Sequence, residues 1–273
     1  MVELFERDIK TADRKSSKGN QLKWENIGLW YKADYTGYEG LTEYVISHLL
    51  KKSTLSAEEY VLYDLEEIKY NEVIYKGVKS RDFLEDDWQL ITLERLFQNF
   101  FGESLHKAIY RTENHEERLH FLVNQAERIT GLKEFGKYMN KLFTIDAFFL
   151  NEDRHTHNIA VLMNGVGEFK YCPIFDNGAG LLADTTMDYP LSGEVGHMVQ
   201  RVQAKTICQD FEEQLEVSER LYGGNLKFSF SKKDIKAILD GAAIYSAAER
   251  DRVEEILYAQ MRKYRYLFIG ESL

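Results

Sequence analysis

Three oxygen-bearing side chains near the middle of the chain have the types and spacing needed to move a phosphoryl group. Asp153 and Asn158 stand five residues apart in NEDRHTHN, and Asp176 follows eighteen residues after Asn158 in IFDNGAG. Transfer from a nucleoside triphosphate needs a carboxylate to position or deprotonate the attacking hydroxyl, and oxygen ligands for the magnesium that bridges the phosphates. Asp153 answers the first need as catalytic base. Asn158 and Asp176 answer the second as metal ligands. Residues 159–163 read as one strand, Asn164-Gly165 begins a turn, and 169–175 returns. A hairpin brings its ends together, so Asp176 is expected beside Asn158, with Gly178 and Gly180 giving the backbone room to bend away.

The same chemistry needs a cation on the phosphates, usually a strand lysine held by a glutamate from the next helix. Lys32 in GLWYKAD (28–34) is that lysine by context. An unpaired ammonium in an apolar strand is costly, which favours a paired or ligand-binding role over a lysine merely reaching for solvent. Glu39 and Glu43 lie four apart on the following helix; Glu43 is preferred because it sits a turn inside, whereas Glu39 is nearer the fraying end. Upstream, KSSKGNQ (15–21) is a polar turn whose Ser16, Ser17 and Gly19 could cover phosphates through backbone N–H groups. The stretch YKGVKSRDFL (75–84) reads as a hinge whose backbone meets adenine. ATP and Mg2+ are the expected cofactors.

The elements that must position these groups are legible in outline. In the first part, 28–34 and 58–68 have the aromatic and β-branched content of strands, and 38–52 between them places Leu41, Val45 and Leu49 at helical spacing. From about residue 90 the pattern turns helical. The segment 116–129 buries Leu119, Leu122, Val123, Ala126 and Ile129, and 133–150 continues in the same manner. After a loop-like region at 182–200, amphipathic helices at 232–239 and 249–268 close the chain. One short strand pair, IAVLM and FKYCPIF, is left in the middle. With 44% apolar and 13% aromatic residues in 273, a packed core is assured. The fold expected is α+β and bilobal, with a sheet-containing N-lobe at 1–92, a larger helical C-lobe at 93–273, and ATP between them.

The order catalytic loop, hairpin, metal-binding Asp is that of the protein-kinase-like fold. DRHTHN lacks the His-Arg-Asp order of eukaryotic protein kinases, and IFDNG stands where Asp-Phe-Gly would be. The segment resembles the HipA-like kinase family, including its smaller CtkA-type bacterial members; DRHxxN with Asp-Asn-Gly also resembles phosphatidylinositol kinases. The resemblance implies Asp153 as base, Asn158 and Asp176 as magnesium ligands, and His155 as a supporting or proton-handling residue. It implies phosphorylation of a protein serine or threonine, by analogy on a component of translation, and autophosphorylation of a loop serine, here Ser16 or Ser17, that slows turnover. A toxin–antitoxin partner follows by analogy alone. HipA carries an additional N-terminal subdomain, for which Lys32 comes too early here, so an antitoxin docked in the HipA manner is not expected.

Bulk properties narrow the alternatives. A net charge of −10 argues against direct nucleic-acid binding. No apolar run is long enough to span a membrane and the first residues are charged, so a cytoplasmic protein with no membrane partner is expected. Cys172 and Cys208 read as buried thiols of a reducing compartment. His155 and His157 have no further Cys or His to complete a zinc set, and His157 reads as structural. The competing functions are a lipid or small-molecule kinase, disfavoured by the acidic charge, and a nucleotide-binding pseudokinase, disfavoured by the filled base and metal positions.

Overall fold

A computed structural model describes residues 1–10 and 21–270. In chain order its elements are strands β1 (Val2–Glu3), β2 (Lys23–Asn26) and β3 (Leu29–Ala33), helix α1 (Glu39–Leu50), and strands β4 (Asp64–Tyr70), β5 (Val73–Arg81) and β6 (Trp88–Thr92). Helices α2 (Leu93–Phe101), α3 (Leu105–Ile109), α4 (His115–Thr130) and α5 (Phe135–Phe149) follow, then the hairpin β7 (Ala160–Asn164) and β8 (Phe169–Tyr171). Helices α6 (Val195–Val199), α7 (Phe211–Tyr222), α8 (Lys232–Asp240) and α9 (Ala247–Lys263) complete the chain. Two compact units result, each assembled from separated stretches: Met1–Asp82 with Phe175–Val202 and Phe228–Leu273, and Phe83–Ile174 with Gln203–Lys227. Among the described residues no helix is long and apolar enough to cross a membrane.

The first unit is built on a five-stranded sheet in the order β1-β4-β5-β3-β2. Alternation in LWYKA sets its faces: Tyr31 and Ala33 are buried in a cluster with Leu4, Trp24 and Ile68, so Lys32 between them turns to the other face. Lys23 is the direct cross-strand partner of Lys32, and Val78 is its partner on β5, so these three share that face. Gly77 is obligatory in this packing, since a Cβ there would lie 2.1 Å from the Lys32 carbonyl oxygen. Helix α1 buries Leu41, Val45, Ile46 and Leu49 completely. It forms where the periodicity places it. The strand expected over 58–68 begins only at Asp64. Ser56 and Glu59 form a capping box around a 3-10 turn, and that local bonding holds the chain out of the ladder.

One contact at the start of α1 ties the helix to the rest of its unit and titrates. Asp34 Oδ1 accepts from the Gly40 N–H at 2.6 Å, and its Oδ2 accepts from the Tyr245 hydroxyl at 2.8 Å. Burial, reinforced by the nearby Glu39 charge against the pull of these donors, pushes the Asp34 carboxyl up to about 8. Because the folded-state value lies above the unfolded one, about 3.9, the folded state holds this proton more tightly. Its stabilising contribution is complete below about pH 4 and is lost as pH rises through about 8. Urea unfolding of the parent and of Asp34→Asn between pH 5 and 9 should show a parent stability that falls with pH relative to the variant. Parallel pH profiles would contradict the assignment.

The second unit is mainly helical. Helix α5 is buried along nearly all its length and packs against α4 and α7. Asn114 caps α4 by accepting from Glu117 N, and Gly131 in the left-handed region ends it. Leu119, Leu122, Val123 and Ala126 are buried as expected, while Ile129 is only partly so. The central strand pair is in fact a three-stranded sheet, β6-β7-β8. Trp88–Thr92 pairs with Ala160–Asn164 along its whole length. The charged run Glu85–Asp87 just before it gives this strand no apolar signal at its start. In the hairpin, the Asn164 side chain accepts from Val166 N and Glu168 N, and Gly167 rather than Gly165 takes the positive φ.

Candidate functional site

In the first unit, strand β3 and helix α1 bring Lys32 and Glu43 together. Lys32 Nζ donates to Glu43 Oε1 at 2.8 Å and to Asp176 Oδ1 at 2.7 Å. The Tyr63 hydroxyl lies 3.3 Å away, and the ammonium sits 5.0 Å from the Tyr63 ring centroid. Burial works against the charged form of Lys32, but Asp176 and Glu43 outweigh it and hold the group well above the ordinary lysine value. It is charged at any physiological pH. Lys23 adds a second cation 3.9 Å from Asp176 Oδ2.

The choice between Glu39 and Glu43 is decided by what else Glu39 binds. Its carboxylate accepts from the backbone N–H groups of Tyr35, Thr36 and Gly37 and from the Thr36 hydroxyl, which fixes the loop entering α1. Glu43, 2% exposed, spends its second oxygen on the Asn177 N–H at 3.0 Å. One glutamate therefore links the lysine strand to the segment that carries Asp176.

That segment is bent by unusual backbone rather than by its glycines. Asp176, Leu181 and Leu182 have φ of 59°, 50° and 58°. An aspartate tolerates the left-handed region, whereas a leucine there is strained by on the order of 1–2 kcal/mol. The strain is offset by fixed partners: the Tyr38 hydroxyl donates to Leu181 O, and Ala183 N donates to Gly180 O. Gly178 packs against α1: a Cβ there would meet Glu39 Cβ and Glu43 Cγ at ordinary contact distance, 3.4 Å.

In the second unit, the loop after α5 carries Asp153, His155 and Asn158. The Asn158 amide donates to Asp153 O at 2.8 Å and to Asp153 Oδ2 at 2.9 Å. With its NH2 so used, the Asn158 side chain presents its carbonyl oxygen, the atom a hard cation takes. His155 Nε2 lies 3.7 Å from Asp153 Oδ1, and its Nδ1 is buried without a hydrogen-bond partner. Burial pulls His155 below the ordinary imidazole value, with His157 and Lys205 adding to the effect and Asp153 opposing it. The ring is neutral at pH 7.

Four residues that hold this loop went unnoticed in the sequence. Asp146, at the end of α5, is fully buried and accepts from Arg154 Nε with both oxygens at 3.2 Å. Arg154, 2% exposed, also donates to Asn158 O at 3.1 Å, and its own carbonyl accepts from the Thr206 hydroxyl. Glu94 accepts from the Thr156 hydroxyl at 2.7 Å and from His106 N at 3.0 Å. The signal was available: Asp146 interrupts the apolar run KLFTIDAFFL, and a buried carboxylate needs a partner. Tyr63 and Lys23 were missed as well, and neither stands in a motif.

Two other expectations fare differently. Ser16, Ser17 and Gly19 lie outside the described residues. Residues 75–81 of the expected hinge lie in the middle of the sheet: β5 pairs with β4 over Val73–Lys79 and with β3 over Gly77–Arg81, so its backbone groups are spent there. The chain leaves this unit at Asp82, whose N–H donates to Gly28 O. Among metal-type donors, His115, Cys208 and Glu213 have ligand atoms within 4.8 Å of one another, a group that includes neither His155 nor His157.

An α+β chain with a lysine–glutamate pair on a five-stranded sheet in one unit and an Asp-x-x-x-x-Asn loop in the other, mainly helical one, has a kinase-like fold. The fold is that of the Helicobacter pylori proinflammatory kinase CtkA: its crystal structure matches with a TM-score of 0.63 at 16% identity, over 96% of this chain and 94% of that one. A Shewanella oneidensis MR-1 HipA, solved with HipB and operator DNA of a toxin–antitoxin system, matches with a TM-score of 0.49 at 14% identity, over 94% of this chain and 67% of that one. No protein-family model and no curated protein matches the sequence.

Proposed function

We propose that the chain is an ATP- and magnesium-dependent kinase, working in the cytoplasm, that phosphorylates serine or threonine hydroxyls of a protein. The observation that carries this reading is the Lys32 ammonium held at 2.8 Å by Glu43 and at 2.7 Å by Asp176. A structural ion pair needs one carboxylate; a lysine shared between a helix glutamate and a second aspartate, with Lys23 alongside, suits a polyphosphate. The kinase-like fold supports it.

The donors fit magnesium: Asp176 and Asn158 offer oxygen only, and the engaged amide of Asn158 leaves that oxygen forward. Bound magnesium supplies neutralisation of the phosphate charge. Lys32 and Lys23 hold the phosphates, and Glu43 keeps Lys32 aimed. Asp153 takes the proton of the acceptor hydroxyl, and neutral His155 beside it steadies that carboxylate.

Purified protein incubated with labelled ATP, Mg2+ and a mixed-protein lysate should transfer label to serine or threonine. ATP bound with no transfer to any protein would replace the kinase with a nucleotide-binding module. Asp176→Ala should weaken Mg-ATP binding by more than about tenfold while leaving magnesium-free nucleotide binding nearly unchanged, since Lys32 keeps Glu43. Calorimetric titrations with and without Mg2+ check this, and equal Mg-ATP affinities for variant and parent would remove Asp176 from the metal.

A further inference from the structure

The second unit contains a cavity of about 560 Å³ in which every charged or titratable nitrogen is basic: His106, Lys107, His155, His157 and Lys205 line it, and no carboxylate does. On a chain of net charge −10 such a lining runs against the bulk composition. The two lysines come from different places, Lys107 from α3 and Lys205 from the stretch before α7, and both are exposed. Glu94, a buried acid that touches two lining residues, is engaged with His106 N and the Thr156 hydroxyl. His155 connects the cavity to chemistry, since the same ring stands 3.7 Å from Asp153.

A cavity of this size exceeds a single side chain, and Gln203 and Gln209 add amides able to pair with a peptide backbone. Resting on the kinase reading, we propose that this cavity is the acceptor site and that it selects an acidic peptide segment, in which Asp or Glu side chains flank the serine or threonine. Lys107 and Lys205 meet the flanking carboxylates; Asp153 meets the hydroxyl.

Binding and transfer are measured separately. A fluorescent peptide with one serine among Asp and Glu residues is titrated by anisotropy, beside the same peptide carrying Asn and Gln. The acidic peptide should bind, weaken as salt rises, and weaken about tenfold in Lys107→Ala, Lys205→Ala. The amide peptide should bind worse than the acidic one by a similar factor. Lysines this exposed are replaceable without unfolding the chain, and circular dichroism verifies it. Equal affinity for both peptides, or an unchanged affinity in the double variant, overturns the proposal. So does displacement of the peptide by an equimolar amount of inorganic phosphate, which would assign the cavity to a small phosphorylated acceptor. Charge-selective binding that persists without phosphate transfer from Mg-ATP would sustain the acidic-peptide site and defeat the kinase reading instead.

Discussion

Asp153→Ala is expected to lower phosphoryl transfer by about 10²- to 10⁴-fold while nucleotide affinity stays near that of the parent. The argument rests on what the truncation leaves behind. Asn158 donates both to the Asp153 carboxylate and to the Asp153 backbone carbonyl, and the second bond, at 2.8 Å, survives in the alanine variant. The proposed metal ligand therefore keeps its orientation. The bonds from Lys32 to Glu43 and Asp176 are made by other side chains and remain available in the variant. What goes is the oxygen proposed to receive the hydroxyl proton. Asp153→Asn tests the same point with shape preserved. Single-turnover kinetics with a saturating acceptor, alongside calorimetry with Mg-ATP, separates the two quantities. Transfer within threefold of the parent would take the base role from Asp153, and a parallel loss of nucleotide affinity would make the residue structural.

How much of this was legible depended on whether a residue's partner lay nearby in the sequence. Lys32 and Glu43 are eleven residues apart across one strand-to-helix connection, and strand and helix periodicity were enough to pair them. Asp153 and Asn158 lie in one loop. The bond between their side chains was not foreseen, although the spacing was. Tyr63, just before β4, reaches the Lys32 ammonium, and Lys23 reaches the Asp176 carboxylate; in both cases the partner is distant in sequence. Lys23 faces the site because β2 pairs with β3 in a register that sets it opposite Lys32, and register cannot be read from either strand separately. Most of the stretch 75–84 read as a hinge is strand for the same reason: β3 and β4 claim the backbone of 75–81 on both sides, and the passage from one unit to the other comes only at its end, after Asp82. Strand β6 was hidden by the charges before it, while its partner β7 was plain.

Asp176 shows a different limit. The motif located the residue, and glycines after it suggested where the chain turns. The turn is made instead by positive φ at Asp176, Leu181 and Leu182. Sequence preferences argue against leucine in that conformation, so local propensity gives no warning. Tertiary bonds from Glu43, Tyr38 and the loop's own backbone impose it. Such strain at the segment holding a proposed metal ligand fits a backbone shaped for its ligand rather than for its own ease.

The largest expected effect on stability is at Asp146, which touches none of the proposed reacting groups. Asp146 is fully buried and Arg154 is 2% exposed, so the pair carries two charges removed from water. Such a pair contributes little net stability over an apolar pair of equal shape, but removing Asp146 takes its carboxylate away from a guanidinium that stays buried, at about 3–5 kcal/mol. Arg154 cannot escape by losing its proton. Asp146→Ala should therefore lower the unfolding free energy by about that amount in urea denaturation. It should also slow transfer, because Arg154 donates to Asn158 O and accepts from Thr206, and so holds the loop that carries Asp153. The paired replacement Asp146→Leu, Arg154→Met separates these consequences. It removes both charges at similar volume, so stability should return to within about 1 kcal/mol of the parent, while transfer stays low for want of the guanidinium bond to Asn158. If Asp146→Ala costs less than about 1 kcal/mol, Arg154 has found water and the pair is not the anchor of the loop. If the paired variant recovers transfer as fully as stability, the loop is positioned without the guanidinium bond to Asn158, and Arg154 serves only to neutralise Asp146.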